Sequence, residues 1–474
     1  MQQFNMTING KSYTSGKTFD VINPALGVPF ATCALGDVST VNEAVVAAKN
    51  AFPEWSQLPD ETRIEKMNAL VGLLESNMPD IMALITQENG KPFNGFGGIG
   101  SGMEVGGSMA WIQATCSFSS PVQVIQDNDE AKVEVHRKPL GVVASITPWN
   151  WPLLIAIWHV IPALRTGNTV IIKPSPLTPV ATMRFVELAN TVLPPGVLNV
   201  ITGDAEVGNA ISAHPDINKI VFTGSTPTGK KIMSLASSNL KRLTLELGGN
   251  DAGIVLPDAD VKAIAQNLFL SCFHNNGQTC ACLKRLYVHA SIYDEVCNAL
   301  VEFANTVKVG NGMDEGTEFG PVQNKAQLDK VIELTEDALA NGATLLAGGK
   351  VAEGEGYFFP PTIIGDISNG ARLVDEEQFG PVLPIIKYTD IDEAIKMAND
   401  NQFGLGGSIW SSDTKQAYAL ASRLETGSVW INEHGNVQPD APFGGVKQSG
   451  LGVEFGQLGL EEYTSVQTIK VSKV

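Results

Sequence analysis

Basic residues are scarce in this chain. Its 474 residues include 32 Lys and Arg against 50 Asp and Glu, a formal net charge of -18. So acidic a surface argues against nucleic acid or a membrane as partner, since both present negative charge. Cysteine is scarce as well. Cys33, Cys116, Cys272, Cys280, Cys282 and Cys297 are too few and too scattered for a disulfide scaffold. No CxxC is matched by a second CxxC or a spaced histidine pair, which argues against a structural zinc. No apolar run reaches the length of a membrane span, and residues 1–5 carry neither a basic nor an apolar targeting region. Reduced thiols without such a segment point to the cytoplasm. Internal repeats and low-complexity tracts are missing, and no GxGxxG follows an early strand. Disorder is disfavoured too, because hydrophobic residues make up 43% and charged residues only 17%.

What is present is enough chain for roughly three domains of ordinary size. Residues 39–52 read as a helix capped by Ser39 or Thr40. Residues 61–89 read as helical, with Met67, Leu70, Leu73, Leu74, Met78, Ile81, Leu84 and Ile85 at helical spacing. From Gly141, apolar runs (141–146, 169–172, 197–201, 219–222) alternate with helical stretches (153–164, 180–193, 207–213, 229–237). A second alternating block spans 253–447, with strand candidates at 286–288, 343–346, 382–388 and 428–431. Such alternation predicts parallel, doubly wound sheets that bind ligands at the carboxyl ends of their strands. Residues 121–135 carry a hairpin pattern around Asp127-Asn128-Asp129-Glu130, and 466–471 alternate similarly. The two are expected to pair in an exposed flap whose edge invites a second chain.

The segment Asn275-Asn276-Gly277-Gln278-Thr279-Cys280 sets a cysteine behind a flexible turn, and Leu245-Glu246-Leu247-Gly248-Gly249 sets a carboxylate upstream. A thiol with open access attacks carbonyl carbon, and a carboxylate takes a proton from water; the pair suggests covalent catalysis followed by hydrolysis. Thr147-Pro148-Trp149-Asn150-Trp151-Pro152, Phe222-Thr223-Gly224-Ser225-Thr226 and Glu377-Gln378-Phe379-Gly380-Pro381-Val382 accompany it. With these motifs in this order, the chain resembles the NAD(P)-dependent aldehyde dehydrogenase superfamily from about residue 5 to the C-terminus. The presence of Glu246 fits the hydrolytic, non-CoA-acylating branch, whose product is a free acid.

The resemblance implies an α/β fold: two doubly wound Rossmann-like domains with a small β oligomerisation flap. Residues 1–120 and 140–250 would form the dinucleotide-binding domain and 251–448 the catalytic domain with the nucleophilic cysteine. Residues 121–139 and 460–474 would form the oligomerisation arm of a homodimer or homotetramer. Cys280 would be the nucleophile, Asn150 the oxyanion donor together with the Cys280 N–H, and Glu246 the base. Alone, Asn150 reads as a turn residue before Trp-Pro, and the alternative for Glu246 is a surface strand carboxylate. Glu454 matches a second family carboxylate that relays protons, and reads as well as a helix-surface charge. Cys282 reads as strand packing; the alternative is a reversible disulfide partner of Cys280.

The turn Gly224-Ser225 between a strand and a helix N-terminus is an anion site suited to pyrophosphate. By resemblance the cofactor set is Ile146, Thr147, Trp149, Lys173, Ser175, Gly208, Phe222, Gly224, Ser225, Leu247, Glu377 and Phe379. Many NAD-preferring relatives carry Glu three residues after the lysine, where Pro176 stands here. Without that carboxylate a 2′-phosphate meets no direct repulsion, so NAD is the expected cofactor and NADP the alternative; no metal is expected. Trp151, Leu154, Ile155 and Trp158, with His274, Thr279 and Ala281, would line the pocket for a small-molecule aldehyde. Succinate-semialdehyde-type relatives put Arg where Trp158, and often His274, stand. Their absence favours a neutral apolar or aromatic aldehyde. The rivals are a semialdehyde dehydrogenase, a catalytically silent structural protein on the same fold, and a Cys–His hydrolase using His274.

Overall fold

The strands Val142–Ile146, Thr169–Lys173, Leu198–Val200 and Lys219–Thr223 are buried along their whole length. Continuous burial explains their unbroken apolar character, since helices cover both faces of a parallel sheet. The computed structural model describes residues 1–352 and 354–473. There these strands join a larger sheet in the order Gly450–Leu451, Arg242–Glu246, Lys219–Thr223, Val142–Ile146, Thr169–Lys173, Leu198–Val200, Met6–Ile8 and Lys11–Tyr13. From Arg242–Glu246 to Leu198–Val200 all neighbours run parallel. The chain winds outward from Val142–Ile146 to Leu198–Val200, then crosses back to lay Lys219–Thr223 on the other side. At such a reversal a sheet opens a crevice beyond its carboxyl ends.

A second sheet runs Thr344–Ala347, Thr362–Ile367, Val382–Tyr388, Leu283–His289, Asp251–Val255, Gly406–Trp410 and Ser428–Ile431. It is parallel apart from the antiparallel edge strand Thr344–Ala347. The helix Pro152–Arg165 packs on the first sheet, against Val142–Ile146 and Thr169–Lys173, and is buried at every residue but Trp158. A third, antiparallel sheet joins Gln123–Asp127, Ala131–Pro139 and Thr464–Ser472, from Thr464 opposite Pro139 to Ser472 opposite Ala131. The Asn128 side chain accepts from the Glu130 and Ala131 N–H groups and closes its hairpin. Val122, Val124, Ile125, Val466, Ile469 and Val471 of this flap are exposed.

Three local expectations are corrected. The first long helix is Val38–Gln57, and its cap is Asp37 rather than Ser39 or Thr40. Asp37 accepts from the Thr40 N–H while Thr40 Oγ1 accepts from the Asp37 N–H, a reciprocal box with Thr40 inside the helix. The stretch 61–89 is two helices, Asp60–Ser76 and Met78–Asn89, bent by 75°. Pro79 has no N–H for the preceding turn and sits in the first turn of the second helix, so the chain bends there. The helix Val180–Ala189 stops short of Leu193 because Pro194 and Pro195 follow. No single helix among the described residues is long and apolar enough to cross a membrane.

Candidate active site

Four neighbouring strands of the first sheet end side by side. They bring together Ile146 and Thr147, Lys173 and Ser175, Gly224 and Ser225, and Leu247; Ile146 is the register partner of both Lys173 and Phe222. The Thr147 hydroxyl is buried without a hydrogen-bond partner. Ser225 precedes the helix Thr226–Ala236, whose first turn has no side-chain cap, so its N–H groups remain for an anion. Lys173 is buried with Nζ 3.3 Å from the Pro174 carbonyl; burial pulls it down to about 8, against the attraction of Asp204. Gly208, in the helix Ala205–Ala213, has no heavy atom within 4 Å of the space a Cβ would fill.

Cys280 lies between the helix Val261–Phe273 and the strand Leu283–His289. The turn before it takes Asn275 to φ 51°, Asn276 to φ 57° and Gly277 to φ 67°. A Cβ on Gly277 would stand 2.3 Å from the Gly380 carbonyl, and one on Gly249 would stand 2.7 Å from the Cys280 carbonyl. Glycine at these positions lets three sequence motifs touch. Gln278 and Gln378 pin them: Gln278 Oε1 accepts from the Gln323 N–H, and Gln378 Nε2 donates to the Lys284 and Val382 carbonyls. Glu377 Oε1 accepts from the Gly249 N–H at 3.0 Å, and burial raises that carboxyl to about 7. Trp149 meets Phe379 edge-on at 5.3 Å.

Cys280 is half-buried, and its thiol is pushed up to about 12, first by burial and then by Glu246. Glu246, at the end of its strand, is only 4% exposed, and neither carboxyl oxygen has a hydrogen-bond partner. Burial, then the charge of Glu454, raises it well above the ordinary carboxylate range. It is therefore not a surface carboxylate. Glu454 is buried as well, with Oε1 3.0 Å from His159 Nε2, which excludes a helix-surface charge. His159 Nε2 also lies 3.0 Å from Thr223 Oγ1, and Nδ1 lies 2.9 Å from Ser145 Oγ. Sequence reading passed over His159; a lone imidazole amid the apolar run of Pro152–Arg165 was its signal.

Asn150 is buried, and its Nδ2 donates to the Gln278 carbonyl at 2.9 Å. That commits one amide hydrogen and leaves the other. Among the described residues the Cys280 N–H finds no acceptor. Cys282 is fully buried, but in a turn that precedes the strand, so strand geometry does not bring it to the face of Cys280. Both thiols are free, and Cys282 Sγ lies 3.6 Å from the ring nitrogens of His274. Burial lowers His274 to about 4. The imidazole a Cys–His hydrolase would need is neutral at pH 7 and engaged with the other cysteine.

Beside Cys280 the structure gathers two apolar clusters. One joins Ala281, Leu405, Phe443 and Phe455 with Cys280, Trp111, Trp158, Trp430 and Val437. The other joins Trp151, Leu154 and Ile155 with Ile99, Met103, Trp111 and Trp158. Trp111, Trp158 and Phe455 meet one another at 4.7–5.5 Å between ring centroids, the two tryptophans tilted and Phe455 edge-on to both. Thr279 Oγ1 accepts from Trp151 Nε1 at 2.9 Å. Trp111 lies far from the motifs in sequence and no local pattern marked it, whereas Phe455 directly follows Glu454.

Comparison with known proteins agrees in sequence and in shape. The sequence model described as "Aldehyde dehydrogenase family" matches residues 12–469. A phenylacetaldehyde dehydrogenase of Pseudomonas fluorescens is 38% identical over 475 residues, covering 97% of this chain and 93% of the relative. The NAD+ complex of an aldehyde dehydrogenase from Bacillus cereus superposes with a TM-score of 0.95 at 35% identity, covering 99% of this chain and 96% of that one. A betaine aldehyde dehydrogenase of Staphylococcus aureus in complex with NAD+ gives 0.94 at 35% identity, covering 98% and 94%.

Proposed function

The chain belongs to the aldehyde dehydrogenase family, and from that premise we propose that it oxidises a neutral, aromatic or apolar aldehyde to the free acid through Cys280. The observation that carries this reading is the unpaired Glu246 carboxyl, held in the same buried site as a thiol whose ionisation it opposes. The cofactor is NAD. The orphaned Thr147 hydroxyl, the uncapped helix behind Ser225 and the open space over Gly208 fit a dinucleotide. Ser225 and Gly224 would hold the pyrophosphate, Lys173 and Ser175 a ribose, and Glu377, Phe379, Trp149 and Leu247 the nicotinamide end. When bound, the dinucleotide supplies the hydride acceptor that turns a thiohemiacetal into a thioester.

The chain's own residues do the rest. The half-buried Cys280 thiol gives its proton to solvent water as sulfur bonds to the carbonyl carbon, because a thiol raised to about 12 is scarcely ionised beforehand. The carbonyl electron pair moves to oxygen, where the free hydrogen of Asn150 Nδ2 and the Cys280 N–H meet it. In the second half Glu246 takes a proton from water, the oxygen adds to the thioester carbon, and the thiolate leaves. A raised carboxyl suits this task, because a base is most effective when its ionisation lies near the working pH. Glu454 and His159 extend from Glu246 as a route for that proton.

The aromatic lining and the neutral His274 support an uncharged substrate, since neither offers a cation to a carboxylate. Six free cysteines support a reducing cytoplasm, and the apolar flap supports a homodimer or homotetramer. The test is reduced-nicotinamide absorbance with phenylacetaldehyde, a quaternary-ammonium aldehyde and succinate semialdehyde, each with NAD and NADP. Phenylacetaldehyde should give the highest kcat/KM, and Cys280→Ser should abolish turnover. Preference for succinate semialdehyde, or turnover without Cys280, overturns the reading.

A further inference from the structure

Three amide or ammonium donors converge on one backbone oxygen. The Asn150 carbonyl accepts from Lys91 Nζ at 2.9 Å, Asn275 Nδ2 at 3.0 Å and Asn89 Nδ2 at 3.3 Å. Lys91 is 3% exposed, and its ammonium sits 3.6 Å from the centre of the Trp151 ring and pairs with the fully buried Glu104. The other oxygen of Glu104 accepts from the N–H groups of Leu153 at 2.9 Å and Leu154 at 3.2 Å. It thereby caps the helix Pro152–Arg165, whose own first residues provide no side-chain cap. Asn89 Nδ2 also donates to the Trp149 carbonyl at 3.0 Å. The turn from Trp149 to Leu154 is thus gripped from one side by a single buried ion pair and its neighbour. From the other side the same turn reaches the nucleophile's loop, through Asn150 Nδ2 to the Gln278 carbonyl and Trp151 Nε1 to Thr279.

Stability does not account for such a pair. Two charges taken from water lose their hydration, and apolar residues of the same shape commonly hold a fold as well or better. What an ion pair with directed hydrogen bonds adds is orientation. We propose that Lys91, held by Glu104, is a positioning residue for the oxyanion amide: it fixes the turn that aims Asn150 Nδ2 into the site of Cys280. This rests on the reading of Asn150 as oxyanion donor. Lys91 acts on the backbone of Asn150 and not on the substrate, so its contribution exists only while the Asn150 amide does.

The test is a double-mutant cycle on the full chain. Lys91→Met with Glu104→Gln removes both charges at nearly constant shape and leaves no unpaired charge behind. It should lower kcat and kcat/KM alike by about 10- to 100-fold, as a misaimed group does. KM for the aldehyde and the dissociation constant for NAD, read by fluorescence, should stay within about twofold. In an Asn150→Ala background the same pair of changes should cost less than about twofold. Glu104→Gln alone, which keeps the helix cap, should give a smaller loss with the same non-additivity, and it carries the cycle if the pair does not fold. An equal loss with and without Asn150, a loss confined to KM, or full activity of the pair overturns the proposal. Full activity of Asn150→Ala itself would instead overturn the oxyanion reading beneath it.

Discussion

At the scale of single residues, the site is governed by who carries charge beside whom. Glu246 raises the Cys280 thiol by its negative charge, so removing that charge lowers the thiol's pKa. Glu246→Gln should therefore shift the pH midpoint of Cys280 alkylation by iodoacetamide to lower pH. It should also cut steady-state turnover by about 10²- to 10⁴-fold, while a burst of one reduced cofactor per site survives. In the parent enzyme, kcat should rise with pH through an ionisation above the ordinary carboxylate range, since the base of the second half works deprotonated and its folded value is raised. Asp204 bears on the cofactor. Pro176 leaves no carboxylate where many NAD-preferring relatives have one, yet Asp204 stands close enough to Lys173 to favour its charged form. It should repel a 2′-phosphate, so Asp204→Asn should raise the NADP-to-NAD ratio of kcat/KM by about tenfold, the equivalent of about 1.4 kcal/mol. Cys280, Glu246 and Asn150 were legible because each sits in a short motif. Asp204, His159 and Lys91 were not, because their partners lie across the fold.

At the scale of elements, the motifs work because backbone segments touch. Gly277 combines a left-handed φ with a 2.3 Å approach to the Gly380 carbonyl. Gly277→Ala should cost more than the roughly 1 kcal/mol of φ strain alone, because the two loops must also part. Loss of activity should exceed the fall in melting temperature, since the loop displaced carries Cys280. Most elements were readable in advance. The strands from Val142 to Thr223 announced themselves by apolar runs, and the flap by alternation on both halves. The failures were at element ends. Asp37 outcompeted Ser39 and Thr40 as a cap because its carboxylate accepts while Thr40 answers from the third helical position. Apolar periodicity continues through Pro79, where the missing N–H lets the two helices meet at a bend. Cys282 was read as strand when its strand begins one residue later, at Leu283.

At the scale of the whole molecule, the flap and the site make different demands. Val124 is 52% exposed and Ile469 40% exposed, in register on either side of Glu134 on the same small sheet, apolar side chains on a surface whose edge invites a second chain. The double variant Val124→Glu, Ile469→Glu should run as a monomer by light scattering, whereas Val46→Glu, on a helix elsewhere, should keep the parent's mass. Unchanged mass in the first variant would remove the flap from the assembly. Thr464–Ser472 closes this sheet against Ala131–Pro139, and Gly450–Leu451 forms the edge of the sheet that ends in Glu246. Glu454 joins the site from the same late stretch. A polypeptide still being synthesised can therefore wind its central strands early, but Glu246 stays without its companion carboxylate Glu454 until that last stretch has emerged. The candidate site is therefore complete only once the chain has been made almost to its end.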